Sequence, residues 1–149
     1  MMLVRNILAD TEGSMVVETA IIAPVLAFLA IGAFQVSAIV ARQQELQSGA
    51  AEAVNIALAA SPTTQEKRDT VKQVVQASLG LKTSQVTVEN KFRCGTSSTY
   101  VDVATSCANG EMTSTYLKLT ITDTYVPQWT KMGVGKPINF TVVRTVQIA

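Results

Sequence analysis

The sequence predicts an α+β fold. A long N-terminal helix, membrane-embedded in its first half, is followed by a second helix packed on a small, mainly antiparallel sheet of three to four strands. Three observations predict it. Residues Thr19 to Ala41 carry no charged side chain. Apolar residues then recur at helical spacing as far as Leu79. From Val86 onward the apolar period changes from about 3.6 to 2, the signature of half-buried strands.

The uncharged run is 23 residues long. At a rise of ~1.5 Å per residue it spans roughly 34 Å, enough to cross a hydrocarbon core of ~30 Å with slight tilt. Its only polar residues are Thr19, Gln35 and Ser37. A secretory signal would have a shorter apolar core followed by a small-residue cleavage site. Here the run continues into Arg42-Gln43-Gln44-Glu45-Leu46-Gln47, which reads as more helix, so the segment is an uncleaved anchor. Arg5 and the amino terminus on one side balance Arg42 on the other. Two cysteines and the β-rich C-terminal part place the N-terminus inside and the C-terminus outside.

Two features of this region are costly. Glu18 lies at the edge of the apolar run, and an ionised side chain at a membrane centre costs about 2.5–3.5 kcal/mol on the insertion scale, less near the interface. Pro24 removes one helical hydrogen bond and tends to kink the rod. Read singly, Glu18 is an interfacial carboxylate and Pro24 a tolerated membrane-helix proline.

Beyond the anchor, Gln43 to Ala60 is rich in helix formers apart from Gly49 and Asn55. Leu46, Ala50, Ala53, Val54 and Ala57 form an apolar stripe, so one helix runs from about Met15 to Ala60. Its small residues suit close packing in a core, or between subunits. Ser61-Pro62 ends it, and Pro62 suits the first turn of the next helix. Thr63 to Leu79 places Val71, Val74, Val75 and Leu79 on one side, with Gly80 as a stop. The cluster Glu66-Lys67-Arg68-Asp69 reads as a solvated face.

Three alternating segments follow: Val86 to Cys94, Leu117 to Tyr125 and Ile138 to Ile148. Tyr100 to Val103 could add a short strand, inside a long polar segment from Gly95 to Ser114. The loop Pro127 to Pro137 carries Trp129, Met132, Gly133 and Gly135, with Lys131 and Lys136. It reads as a turn whose tryptophan caps the core, or as a surface that touches lipid headgroups or another subunit. The resulting organisation is 1–13 leader, 14–41 membrane part of the helix, 42–80 outer helical region and 81–149 β-rich domain.

Composition excludes several functions. The chain has 149 residues and a net charge of +1, with Lys and Arg scattered. Nucleic acid, which needs a dense basic patch, is not an expected partner. There is no histidine, which removes the usual general base and zinc ligand. With no spaced set of Lys, Asp or Glu, no catalytic residue, metal or cofactor is expected, and the chain is not an enzyme. The two cysteines, Cys94 and Cys107, suggest a disulfide in an oxidising compartment; two free buried thiols are the alternative.

Gly13-Ser14-Met15-Val16-Val17-Glu18 puts a glycine five residues before a glutamate at the polar-to-apolar boundary. This resembles the site at which prepilin peptidases cut after the glycine. Together with Ala20, Pro24 and the stretch Leu46-Gln47-Ser48-Gly49-Ala50-Ala51-Glu52-Ala53, it resembles the start of TadE-like proteins of the tight-adherence (Flp) pilus system. The resemblance covers residues 13 to 60. It implies a pilin-like fold and a minor pilin or pseudopilin role in pilus assembly. It also implies a mature chain starting at Ser14, with Glu18 pairing with a neighbouring subunit's amine. The partners implied are the membrane, a prepilin peptidase, other pilin subunits and the assembly machinery. The implied location is a bacterial inner membrane with the C-terminal domain in the periplasm. A membrane-anchored assembly or binding factor that keeps its leader is the alternative.

Overall fold

The computed structural model describes residues 11–108 and 110–149. The first ten residues of the assigned leader lie outside the described residues. The chain divides into two compact units, Met1–Ile39 and Val40–Ala149.

Helix α1 covers Thr11–Ala60, with Pro24 inside it. It starts four residues before the Met15 expected from sequence, so the backbone at Gly13 and Ser14 is helical. No proline interrupts the segment before Pro24, and glycine weakens a helix by only about 1 kcal/mol. Helix α2 covers Gln65–Leu79. Its N-cap is Thr64, whose side chain accepts from the Lys67 N–H. The start expected at Ser61-Pro62 lies three residues further on. Ser61 instead takes a left-handed φ of 42° and terminates α1, its N–H donating to the Ala57 carbonyl. Pro62 is buried between the helices rather than opening the second one. Gly80, with φ 64°, closes α2 through its N–H to the Gln76 carbonyl.

Strands β1 (Val86–Cys94), β2 (Thr113–Tyr125) and β3 (Ile138–Gln147) form an antiparallel meander in the order β1-β2-β3. The register pairs Val86 with Ile121 and Ile121 with Val142. One face is therefore Val86, Val88, Leu117, Leu119, Ile121, Phe140 and Val142. The other is Thr87, Glu89, Lys91, Lys118, Thr120, Thr122, Thr141 and Thr145, a polar face for water. The fourth strand expected at Tyr100 to Val103 is a single bridge, Val101 to Phe92, with reciprocal N–H to carbonyl bonds of 2.8 Å.

The second unit's core joins that apolar face to Leu46, Ala50, Ala53 and Ala57 of α1 and to Val71, Val75 and Leu79 of α2, all buried. Val74, expected on the same side of α2, is 42% exposed; at this helix's phase it points past the sheet. Gly49, a poor helix former, has a packing reason. A Cβ there would lie 2.6–2.9 Å from the Leu79 side chain. Gly49→Val is expected to destabilise the unit by about 1–3 kcal/mol through overpacking, read as a lower midpoint in denaturant unfolding of the detergent-solubilised chain. An unchanged midpoint would mean that Leu79 can move aside without loss.

Two side-chain links orient this unit. Asn90 Nδ2 donates to the Thr63 carbonyl, 3.2 Å, and Asn90 pairs with Leu117 in β2. Arg42 Nε donates to Asp123 Oδ2, 2.7 Å. Following β2 from Leu117 to Asp123 therefore runs from the end marked by Thr63 to the end marked by Arg42. The unit has a proximal end, where the chain arrives through Val40, and a distal end, where β1 finishes at Cys94.

Candidate anchor and assembly site

The first unit is an exposed apolar rod. Ile21, Phe28, Leu29 and Phe34 are 64%, 68%, 65% and 71% exposed. None of the most apolar 18-residue window of α1 is buried. A soluble protein's core helix would be covered along one side at least, and so large a bare apolar surface needs lipid or other helices. Among the described residues this is one helix long and apolar enough to cross a membrane. Thr19 hides its hydroxyl by donating to the Met15 carbonyl, 2.8 Å, which lowers the cost of a polar group in the span.

The residues singled out in the sequence fall in two places. Gly13, Ser14, Glu18 and Pro24 lie along the first four turns of α1. Glu18 is exposed. Pro24 has no N–H to give to the Ala20 carbonyl, so that acceptor is free within the helix. Cys94 and Cys107 are joined in a disulfide with a Cα–Cα distance of 5.3 Å, at the distal end of the second unit. The first group belongs to the first unit and the second group to the second. Among the described residues, no three His, Cys, Asp or Glu side chains cluster in a way that could hold a metal.

The disulfide organises the long polar segment after β1. Gly95 turns the chain with φ 51°, and its N–H donates to the Met112 carbonyl, 2.8 Å. The segment then folds back over the polar face of the sheet. Tyr100 meets Tyr116 edge to face, with ring centroids 5.1 Å apart. The Arg93 guanidinium lies 5.2 Å from the Tyr116 ring centre, a cation–π contact. Asp102 pairs with Lys91, and Lys91 also reaches Glu89 at 3.1 Å. Hydrogen bonds to Asp102 and Glu89 raise the Lys91 pKa above its ordinary value.

A group not singled out in the sequence lies at the proximal end. Arg42, the first charge after the apolar run, donates to Asp123 of β2 and to Glu45 one turn on, 2.9 Å. It also reaches the Leu79 carbonyl at the C-terminus of α2, 3.4 Å, where a cation meets the negative helix end. Asp123 Oδ1 accepts from Gln85 Nε2, 2.8 Å, and from the Thr124 N–H, 2.9 Å. One side chain thus ties α1 to α2 and, through Asp123, to the sheet. A signal was available: Asp123 occupies an apolar phase of β2, between Ile121 and Tyr125, where a carboxylate needs a cation.

Burial opposes the charge on Asp123, but the bonds from Arg42, Thr124 and Gln85 outweigh it and hold its pKa below the ordinary carboxylate value. A carboxylate with a depressed folded pKa contributes stability above its unfolded pKa and loses it as pH falls through the folded value. Arg42→Ala, which leaves Asp123 largely buried at 14% exposure without its cation, is expected to cost about 1–3 kcal/mol at neutral pH. The loss should shrink as pH falls below the ordinary carboxylate range and through the depressed folded value, where Asp123 protonates and no longer needs a cation. Denaturant unfolding at pH 7 and pH 3 checks this; equal losses at both would show that the charge pair is not the cause.

These features define a class: a single apolar helix long enough to cross a membrane, continuous in sequence with a small α+β unit closed by a disulfide at its far end. Comparison with known families is specific for the first part. Residues 13–55 match the family model for TadE-like protein, and over this segment the chain is similar to that family. The match begins at Gly13, includes Glu18 and Pro24, and ends inside the outer half of α1. Neither the curated proteins nor the solved structures gave a match.

Proposed function

We propose that the chain is a minor pilin or pseudopilin that takes part in assembly of a tight-adherence pilus, is cut by a prepilin peptidase after Gly13, and has no catalytic activity of its own. The observation that carries this is the TadE-like match beginning at Gly13, on a helix whose most apolar 18-residue window is wholly uncovered. The anchor holds the subunit in the inner membrane with the second unit in the periplasm. Cleavage exposes the Ser14 amine. The helix then leaves lipid for a bundle of like helices, where packing replaces lipid contacts. Glu18 sets register there by pairing with a neighbour's amine, which offsets the burial of its charge.

One observation favours the second reading, an uncleaved anchored assembly or binding factor. The backbone at Gly13-Ser14 is helical, and a protease has to unwind the bond it cuts. The experiment is N-terminal sequencing of the protein extracted from membranes of a host carrying the peptidase. A Ser14 terminus supports the pilin reading. A terminus that retains residues 1–13 overturns it in favour of the uncleaved factor.

A further inference from the structure

The turn between β2 and β3 lies at the proximal end. Asp123 is bonded to Arg42, and the turn starts at Val126, three residues on and so about 10 Å further along the strand direction at ~3.3 Å per residue. Arg42 is the first charged residue after the span, so it marks the level where headgroups begin.

The turn is built for such a place. Pro127 is buried and opens a 3-10 helix, Gln128–Met132. Thr130 Oγ1 donates to the Pro127 carbonyl, 2.7 Å, and the Val134 N–H donates to the Trp129 carbonyl, 3.1 Å. The turn therefore has a defined shape. Val126 and Val134 on it are 53% and 61% exposed. Trp129 is half-buried, its indole beside Gly135. Lys131 and Lys136 are exposed. No Asp or Glu occurs between Thr124 and Ala149, and the carboxylate nearest in sequence, Asp123, is already paired with Arg42. Exposed apolar residues, one indole and uncompensated lysines in one turn are the chemistry of a membrane interface.

We infer that the 126–137 turn docks on the anionic surface of the bilayer that holds the anchor. The partner is a lipid surface rather than a protein, because the turn starts within about a Debye length of the headgroup level at which Arg42 stands. The inference rests on the anchored reading of α1. Docking holds the outer unit down on the membrane before assembly, and departure of the subunit from the bilayer has to release it.

Trp129 is the one tryptophan in the chain, so its fluorescence reports this turn alone. The full chain is reconstituted in vesicles of phosphatidylcholine, and in vesicles containing about a third phosphatidylglycerol, with or without brominated acyl chains. Flotation first shows whether the chain is anchored; failure to float overturns the anchor itself. For a floating chain, the inference expects a blue-shifted Trp129 emission in anionic vesicles, quenching by brominated lipid and protection from acrylamide. Each lysine near an anionic surface favours the docked state about fivefold, so Lys131→Gln with Lys136→Gln should lower docking roughly 25-fold and restore acrylamide access. Emission and quenching that are the same in both lipids and in the double variant overturn the inference. So does protection that rises with the protein-to-lipid ratio, since a second copy then covers the turn.

Discussion

A Gly13→Leu chain is expected to stay full length in a host in which the unaltered chain begins at Ser14. The effect is all or none on a gel, a difference of thirteen residues. Leucine is a better helix former than glycine by close to 1 kcal/mol, and α1 already runs through this bond. The substitution therefore strengthens the helical state that a protease must open, and it fills the space that a small residue leaves at the cut. Glu18→Gln separates cleavage from assembly. It leaves Gly13 and Ser14 untouched, so processing should continue, while the carboxylate that would pair with a neighbour's amine is gone. Losing one charge-assisted hydrogen bond costs about 1–3 kcal/mol per subunit addition, and each 1.4 kcal/mol is a factor of ten. Shear fractions from cells making Glu18→Gln should hold little of the subunit while membranes hold it in mature form. If Glu18→Gln enters the sheared fraction at the unaltered level, the glutamate does not set register.

The parts of this fold that were legible in the sequence are those set by local period. The uncharged run, the helical stripe through Leu46, Ala50, Ala53 and Ala57, and the alternation in β1 and β3 each follow from burying one face of a regular element. The Cys94 to Cys107 spacing lies in the same class, since the alternative of free thiols is decided only by whether the chain can bring them together. What was not legible depends on pairs distant in sequence. Asp123 has its meaning only when Arg42, 81 positions earlier, is placed beside it. Gly49 reads as a defect until Leu79 is seen against it. Strand β2 begins at Thr113, four residues before its apolar alternation does, because Arg93 and Cys94 across the sheet hold Ser114 and Thr113 in register. The start of α2 was displaced for a different reason, while its stop at Gly80 holds. Ser61, Thr63 and Thr64 are all chemically suited to the role, and Ser61 was claimed by the end of α1.

The candidate site divides in the same way. Gly13, Glu18 and Pro24 form a linear motif and need no tertiary structure to be read. The proximal Arg42–Asp123 pair and the turn after β2 are surfaces assembled by the fold, and sequence alone left that turn open between core cap and interface. The structure places it three residues beyond the bond to Arg42, and the membrane interface inferred for its lysines and valines rests on that placement.

Replacing both cysteines, Cys94→Ser with Cys107→Ser, is expected to cost the second unit about 3 kcal/mol. The bond closes a loop with a sequence separation of 13, and the chain-entropy model gives about that value for a loop near 15 residues. For a unit of about 100 residues, each kcal/mol moves the melting midpoint by roughly 4–8 °C, so a fall of about 12–24 °C should appear on heating the detergent-solubilised chain. The loss has a place as well as a size. The Tyr100–Tyr116 contact and the Val101–Phe92 bridge depend on the segment that the disulfide ties back, and they lie at the distal end. Near-ultraviolet circular dichroism from tyrosine should weaken at temperatures where the variant is still folded, while Trp129 at the opposite end keeps its emission maximum. A midpoint within about 2 °C of the unaltered chain would show that the polar segment is held by its own contacts. Simultaneous loss of the tyrosine and tryptophan signals well below the melting midpoint would show instead that the bond supports the whole unit rather than its distal end.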